Sequence, residues 1–138
     1  ANGPDYIKIC FMDIRIYYED TDCGGVVYYA NYLKYFERGR TEYMESRGIF
    51  IPDCLKAGFF FVVAHQDIDY KSPAFYADIL NVETKVSKVS SASFTFEYTV
   101  TNKKTAKLLA AGKTVMVCVN KDIQPQKLSQ EIRDKLLA

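Results

Sequence analysis

The sequence has one histidine, His65, and no tryptophan, and its four cysteines are scattered at Cys10, Cys23, Cys54 and Cys118. None of these cysteines has C-x-x-C or Cys/His spacing, so the chain carries no pattern for a metal site or a disulfide framework. We therefore expect reduced thiols, no metal and a cytoplasmic location.

Excess charge and long apolar runs are also absent. Eighteen basic residues face 17 acidic ones, and a formal charge of +1 gives no general attraction to nucleic acid or to an anionic membrane. The longest apolar run, about residues 59–64, is far shorter than the roughly 20 residues needed to cross a bilayer. We expect no nucleic-acid partner and no membrane span.

The chain has enough apolar material for one packed core. With 138 residues and 49% hydrophobic content, it is predicted to form a single domain over residues 1–138, in which residues 1–4 have no structural role. Alternating patterns predict strands over residues 6–18, 59–71, 80–86, 92–100 and 107–120. Apolar residues at three- and four-residue steps predict a long helix over 29–47, ended by Gly48, and Leu128, Ile132 and Leu136 predict a short terminal helix.

This order of elements favours an α+β fold. The later strands are joined by hairpin-length connections, so the sheet is predicted to be antiparallel. Its apolar face needs a cover, and the helix over 29–47 is the only element long enough to provide it. We expect a five-stranded antiparallel sheet curled around a central helix.

The most informative stretch is residues 18–42, where Asp22 and the pair Gly24–Gly25 stand directly before the long helix. The first turn of a helix has unpaired N–H groups and the positive end of the helix dipole, which suit an anion. An aspartate is normally ionised at neutral pH, and Asp22 could either orient water or attack a carbonyl carbon itself. The residues leave these two roles open.

Structural roles compete with this chemistry. Most aspartates before a helix form caps or Asx turns, and Asp20 is interpreted as a brace for the loop. Cys23 is interpreted as a spacer because no histidine is placed to activate it, and His65 is given no role. Glu37, Arg38 and Arg40, in mid-helix, are expected to form a buried or interfacial ion pair.

The stretch resembles a known signature. The matching residues are Asp20-Thr21-Asp22, Gly25-Val26-Val27-Tyr28, Asn31-Tyr32, Glu37-Arg38 and Arg40, with a weaker match at Asp69-Tyr70, Pro73 and Asp78. This pattern resembles that of the hotdog-fold acyl-CoA thioesterases, specifically the 4-hydroxybenzoyl-CoA thioesterase family and its Tol–Pal-associated bacterial branch. The resemblance implies a hotdog fold, subunits joined edge to edge as a homodimer or a dimer-of-dimers tetramer, and an active site between subunits.

The resemblance also implies site residues. Asp22 matches the catalytic carboxylate, and the amide of Tyr29 matches the group that polarises the thioester carbonyl. The Tol–Pal branch usually has histidine at position 29, whereas the hydroxybenzoyl branch has tyrosine. The arginine pair that precedes Ser93 in that second branch is replaced by Ser90 and Ser91. The implied substrate-binding residues are Gly25, Val26, Tyr28, Tyr32 and Ser93.

The function implied is hydrolysis of a small or medium acyl-CoA to a free acid and coenzyme A, without a cofactor. An acyl carrier protein is an alternative acyl donor. Two other functions stay open: a hydratase or dehydratase, which would need a histidine near the helix entrance, and a non-catalytic acyl-binding dimer.

Overall fold

The computed structural model describes residues 9–138. Within them, five strands and three helices follow one another along the chain. Their bounds are β1 Ile9–Arg15, α1 Asn31–Ser46, α2 Ile51–Lys56, β2 Phe59–Tyr70, β3 Ile79–Val89, β4 Ser93–Asn102, β5 Leu108–Asn120 and α3 Gln130–Leu137. A 3-10 turn over Tyr18–Asp20 lies between β1 and α1.

The strands form one antiparallel sheet in the order β1-β3-β4-β5-β2. Short hairpins join β3 to β4 and β4 to β5. The second of these turns at Lys103–Thr105, between the strands predicted to end at residue 100 and to begin at residue 107. Strands β1 and β2 are the two edges, and among residues 9–138 β2 pairs only with β5.

Alternating side chains of the sheet pack against one face of α1. On β4, Phe94, Phe96, Tyr98 and Val100 all face the core, as the period-two pattern predicts. The ring of Phe36 on α1 stacks on Tyr98, with centroids 4.1 Å apart. Gly39 is required there, because a Cβ atom at that position would lie 2.5 Å from the Thr84 hydroxyl oxygen.

The helices cover the inner face of the sheet unevenly. Helix α1 packs mainly on β1 and β3, and α2 packs on β2. The inner side chains of β2 are therefore only partly covered, and Val63 keeps 49% of its surface exposed. This edge of the sheet carries exposed apolar surface and, within the part of the chain that the structure describes, backbone groups without a neighbouring strand.

The structure corrects several predicted boundaries. Strand β1 ends at Arg15, short of its predicted end at residue 18, and Tyr18 is exposed on the following 3-10 turn. Helix α1 begins at Asn31, because residues 29 and 30 form a turn. Leu128 is buried but precedes α3, which Ser129 caps by accepting a hydrogen bond from the Ile132 amide.

Some predictions concern other parts of the chain. The start of the first predicted strand, residues 6–8, and the proposed tail, residues 1–4, lie outside the described residues. That residues 1–138 form one domain stays a prediction. Between residues 9 and 138, no helix is long and apolar enough to span a membrane.

Candidate active site

The segment between the 3-10 turn and α1 folds back on itself. The amide of Asp22 donates to the carbonyl of Val26 at 2.9 Å, and the amide of Gly25 donates to the carbonyl of Asp22 at 3.0 Å. Gly25 has a φ of +80°, a conformation that side chains disfavour, so the turn requires glycine here. Val26, half-buried, is bridged to Phe75, which joins this turn to the segment before β3.

Hydrogen bonds to Asp20 connect the turn to the start of α1. Its carbonyl accepts hydrogen bonds from the Tyr28 amide at 2.9 Å and from the side-chain amide of Asn31 at 2.8 Å. Its carboxylate accepts the Tyr17 amide at 2.8 Å. These contacts agree with the interpretation of Asp20 as a brace.

The Asp22 side chain is exposed at the tip of the turn. One carboxylate oxygen, Oδ1, accepts the Gly24 amide at 2.8 Å, which is the Asx-turn contact considered above. Within residues 9–138, the other oxygen has no hydrogen-bond partner. The Asx turn therefore orients the carboxylate and leaves one oxygen available to a ligand.

Two backbone amides are unsatisfied at the start of α1. The amides of Asn31, Tyr32 and Leu33 donate to the carbonyls of residues 28, 29 and 30 at 2.9, 3.3 and 3.2 Å. Among the described residues, no acceptor lies in hydrogen-bond range of the Tyr29 and Ala30 amides, and no side chain caps the helix. Both donors are at the positive end of the helix dipole, where a developing negative charge is stabilised.

A cavity of about 310 Å³ opens beside these amides. Its wall consists of Val27, Tyr29, Tyr32, Tyr70, Lys71, Ser72 and Pro73. Tyr32 is only 3% exposed, and burial, together with the nearby Tyr70 and Asp78, raises the pKa of its hydroxyl to about 12. The cavity is therefore aromatic, and Tyr32 stays neutral at physiological pH.

The structure brings most of the sequence-predicted residues to this region. Tyr29 and Tyr32 line the cavity, and Gly25 and Val26 form the adjoining turn. Tyr28 is exposed, with its ring centroid 4.7 Å from that of Tyr29. Asp22 lies on the same turn but outside the cavity wall.

Ser93 is not brought to the site within this chain. It begins β4 opposite Val117, whereas Tyr70, at the cavity, is opposite Ala110, which in turn is opposite Val100. The seven positions from Ser93 to Val100 correspond to about 23 Å at roughly 3.3 Å per residue. Within a single chain, Ser93 therefore lies away from the cavity.

The mid-helix charges differ from the expected ion pair. Arg38 lies over the ring of Tyr35, 5.8 Å from its centroid, and Arg40 donates to the Tyr98 hydroxyl at 3.4 Å. Within the described part of this chain, Glu37 forms no salt bridge with either arginine. The buried form of the expected pair is therefore not present within the described part of the single chain, where Arg38 contacts an aromatic ring and Arg40 a hydroxyl. An interfacial pair stays a prediction.

Sequence reasoning missed the role of two residues. Tyr70 was only part of a weak match, yet its hydroxyl donates to the carbonyl of Tyr29 at 3.0 Å. Asn31 was part of the main match, but its bond to Asp20 depends on how the turn folds. The single histidine, His65, is exposed on β2 and lies 3.1 Å from the carboxylate of Asp67.

A long helix partly wrapped by a five-stranded antiparallel sheet, with two free backbone amides at the start of the helix, is the arrangement of the hotdog fold. The family model described as the thioesterase-like superfamily matches residues 17–136. The chain belongs to this superfamily, and its enzyme class is thioester hydrolase. The α+β hotdog fold predicted from the sequence is confirmed.

Individual relatives agree with this assignment. The acyl-CoA thioester hydrolase YbgC of Escherichia coli is 32% identical over 120 residues, which cover 86% of this chain and 89% of that protein. The acyl-CoA thioesterase YbgC of Haemophilus influenzae is 48% identical over 85 residues, covering 61% of this chain and 62% of that protein. An association with the Tol–Pal system stays a prediction.

Solved structures show the same architecture. A DHNA-CoA thioesterase from Staphylococcus aureus is 30% identical with a TM-score of 0.84, covering 91% of this chain and 85% of that one. A mutant 4-hydroxybenzoyl-CoA thioesterase complexed with 4-hydroxybenzoyl-CoA has a TM-score of 0.86 at 18% identity, covering 93% of this chain and 98% of that one. At that identity the likeness concerns the fold alone.

Proposed function

We propose that this protein hydrolyses the thioester of a small or medium acyl-CoA to a free acid and coenzyme A. The observation that carries the proposal is the free amide of Tyr29, which lies at an uncapped helix start, beside a cavity and on the same folded turn as Asp22. The acyl-CoA hydrolase activities named for the relatives support the choice of acyl-CoA as substrate class.

The Tyr29 amide is proposed to stabilise the oxyanion that forms during the reaction. When a nucleophile adds to the thioester carbon, negative charge develops on the carbonyl oxygen. A backbone donor fixed at a helix start stabilises that charge without reorganising, and one such donor is typically worth about 3 to 4 kcal/mol. This contribution does not depend on the side chain at position 29.

The free oxygen of the Asp22 carboxylate is proposed to act on the thioester carbonyl carbon, either directly or through a water molecule. In one route it adds to that carbon, coenzyme A leaves as thiolate, and water then cleaves the mixed anhydride to regenerate Asp22. In the other route Asp22 takes a proton from water while the water oxygen adds to the carbon. Both routes consume one thioester and one water, and neither requires a cofactor. A thiol is acidic enough to leave as thiolate without a dedicated general acid.

The acyl group of the substrate is proposed to bind in the cavity. A volume of about 310 Å³ is at the low end of ligand pockets, which run from roughly 300 to 1,000 Å³. Tyr32, Tyr70 and Val27 offer mostly apolar surface to it. These dimensions favour a small or medium acyl chain, and an acyl carrier protein stays an alternative donor of that chain.

The working form is proposed to be a homodimer, or a tetramer of two such dimers, joined along β2. This strand has no partner on its outer side within the described chain, and its inner residue Val63 is half exposed. Edge strands of this kind are usually covered or paired. An antiparallel second copy would bring its Ser93 end toward this chain's Tyr70 end, which supports a site shared between subunits.

We also propose that the protein is cytoplasmic. The four cysteines are all free thiols, two of them buried in the core, as suits a reducing compartment.

The test is a panel of acyl-CoA substrates with increasing chain length, including aromatic acyl groups. Released coenzyme A is detected with a thiol-reactive dye, and a blank without substrate subtracts the reaction of the exposed Cys23. Steady turnover with short or medium chains is expected. Tight binding of acyl-CoA without thiol release would identify an acyl-binding protein, and a change in the acyl group with the thioester intact would identify a hydratase.

A further inference from the structure

Tyr70, the last residue of β2, contacts the start of α1 in three ways. Its hydroxyl donates a hydrogen bond to the carbonyl oxygen of Tyr29 at 3.0 Å. Its ring meets those of Tyr29 and Tyr32 edge to face, with centroids 6.1 and 5.5 Å apart. An edge strand is thereby connected to the backbone of the candidate oxyanion site.

The contacted carbonyl belongs to the peptide group whose N–H is that of Ala30. Donation to a carbonyl oxygen polarises the peptide and makes its N–H a stronger donor, because hydrogen bonds in a chain reinforce one another. The Ala30 amide has no acceptor among the described residues, and no side chain caps it. The same carbonyl also accepts the Tyr32 amide at 3.3 Å, so the plane of this peptide is held from two sides.

We propose that Tyr70 is a positioning residue, which holds and polarises the Tyr29–Ala30 peptide so that the Ala30 amide serves as a second oxyanion donor beside that of Tyr29. The proposal rests on the thioesterase function proposed above. It gives the end of β2 a role in the chemical step.

The hydroxyl, rather than the ring, is the active part. Burial, followed by the proximity of Tyr29, raises the pKa of Tyr70, so the hydroxyl keeps its proton at neutral pH and remains a donor. Tyr70→Phe removes that donor and retains the ring that packs against Tyr32. The substitution therefore separates positioning from packing.

The kinetic test compares wild type, Tyr70→Phe and the control Tyr18→Phe on the best substrate of the panel. Tyr18 is 79% exposed and lies on the preceding 3-10 turn, so loss of its hydroxyl should leave kcat unchanged. For Tyr70→Phe we expect kcat to fall about three- to tenfold, the equivalent of one neutral hydrogen bond, with KM changed less than about twofold. An increase in KM at constant kcat would overturn the proposal, because it would place Tyr70 in ground-state binding.

A second measurement does not depend on turnover. In the NMR spectrum of the full chain, the Ala30 amide proton of Tyr70→Phe should shift upfield, because its peptide carbonyl loses a hydrogen bond. Ring-current effects are matched, since phenylalanine keeps the ring. An unchanged Ala30 resonance overturns the proposal whatever the activity of the variant, whereas a wild-type protein that cleaves no acyl-CoA overturns the proposed function instead.

Discussion

The side-chain amide of Asn31 donates a hydrogen bond to the carbonyl oxygen of Asp20 at 2.8 Å. This bond joins the first residue of α1 to the start of the folded turn that carries Asp22. The orientation of the carboxylate relative to the helix start therefore depends on a residue that need not touch substrate.

Asn31→Ala should separate placement of the turn from the chemistry. Loss of one neutral hydrogen bond costs roughly 1 kcal/mol of folding free energy, so the variant should stay folded. The turn loses one of its two bonds to the Asp20 carbonyl, and kcat should fall about tenfold. Asn81→Ala is the control, because Asn81 donates a side-chain hydrogen bond to the carboxylate of Asp13 on β1, and neither residue lines the cavity. Equal activities of the two variants would show that Asn31 does not place Asp22.

Gly25→Ala should lower both stability and activity. Gly25 has a φ of +80°, and an L-residue in that region costs roughly 1 to 2 kcal/mol. Relief of the strain would displace the turn between Asp22 and Val26. Gly58→Ala is the control, since Gly58 has a φ of +95° and equally open surroundings but follows α2, outside the site. Urea unfolding should show a similar loss of unfolding free energy for both variants, and only Gly25→Ala should lose turnover.

An alkaline loss of stability is expected from Tyr32. Its pKa is about 10 in an unfolded chain and about 12 in the fold, so the folded state holds the proton more tightly. Its burial therefore contributes fully below about pH 10, and this contribution is lost as the pH rises toward 12. The Tm should fall less steeply over that window in Tyr32→Phe than in wild type. If the Tm of Tyr32→Phe and that of wild type fell equally steeply with pH, Tyr32 would be excluded as a source of the effect.

Val63→Asp should weaken self-association and activity together. A charge on the inner face of the β2 edge would be buried by a second copy without a partner, which is costly. Phe11→Asp is the control, because Phe11 is 60% exposed on β1, the opposite edge. Sedimentation velocity should show a smaller species for Val63→Asp alone. A dimer that survives Val63→Asp and is lost in Phe11→Asp would assign the interface to β1.

The fold could be predicted from the sequence because its signals are local. Period-two alternation in β3 and β4 and the three- and four-residue steps of α1 each depend on nearby residues. Boundaries were less certain, since the start of α1 at Asn31 rather than at residue 29 follows from tertiary bonds of the preceding turn. Among the described residues, the amides of Tyr29 and Ala30 are free at this helix start, as the first amides of a helix generally are.

The site could be predicted only in part. Residues 20–32 lie together in the sequence and also in the fold. Tyr70 comes from a strand about 40 residues further along, and only the pairing of β2 with β5 and the position of α1 bring it to Tyr29. No local pattern in the sequence shows that the arginines of α1 contact Tyr35 and Tyr98 within the single chain, where a pair with Glu37 was expected.

The central claim is that the Asp22 carboxylate acts on the thioester carbon. Asp22→Asn keeps the size of the side chain and its oxygen acceptor for the Gly24 amide but removes the charge. We predict at least a hundredfold loss of kcat at saturating acyl-CoA, about 2.7 kcal/mol in activation free energy, with an unchanged Tm and oligomeric state. Asp122→Asn, on the exposed turn after β5, should match wild type. Near-normal turnover in Asp22→Asn would contradict the account.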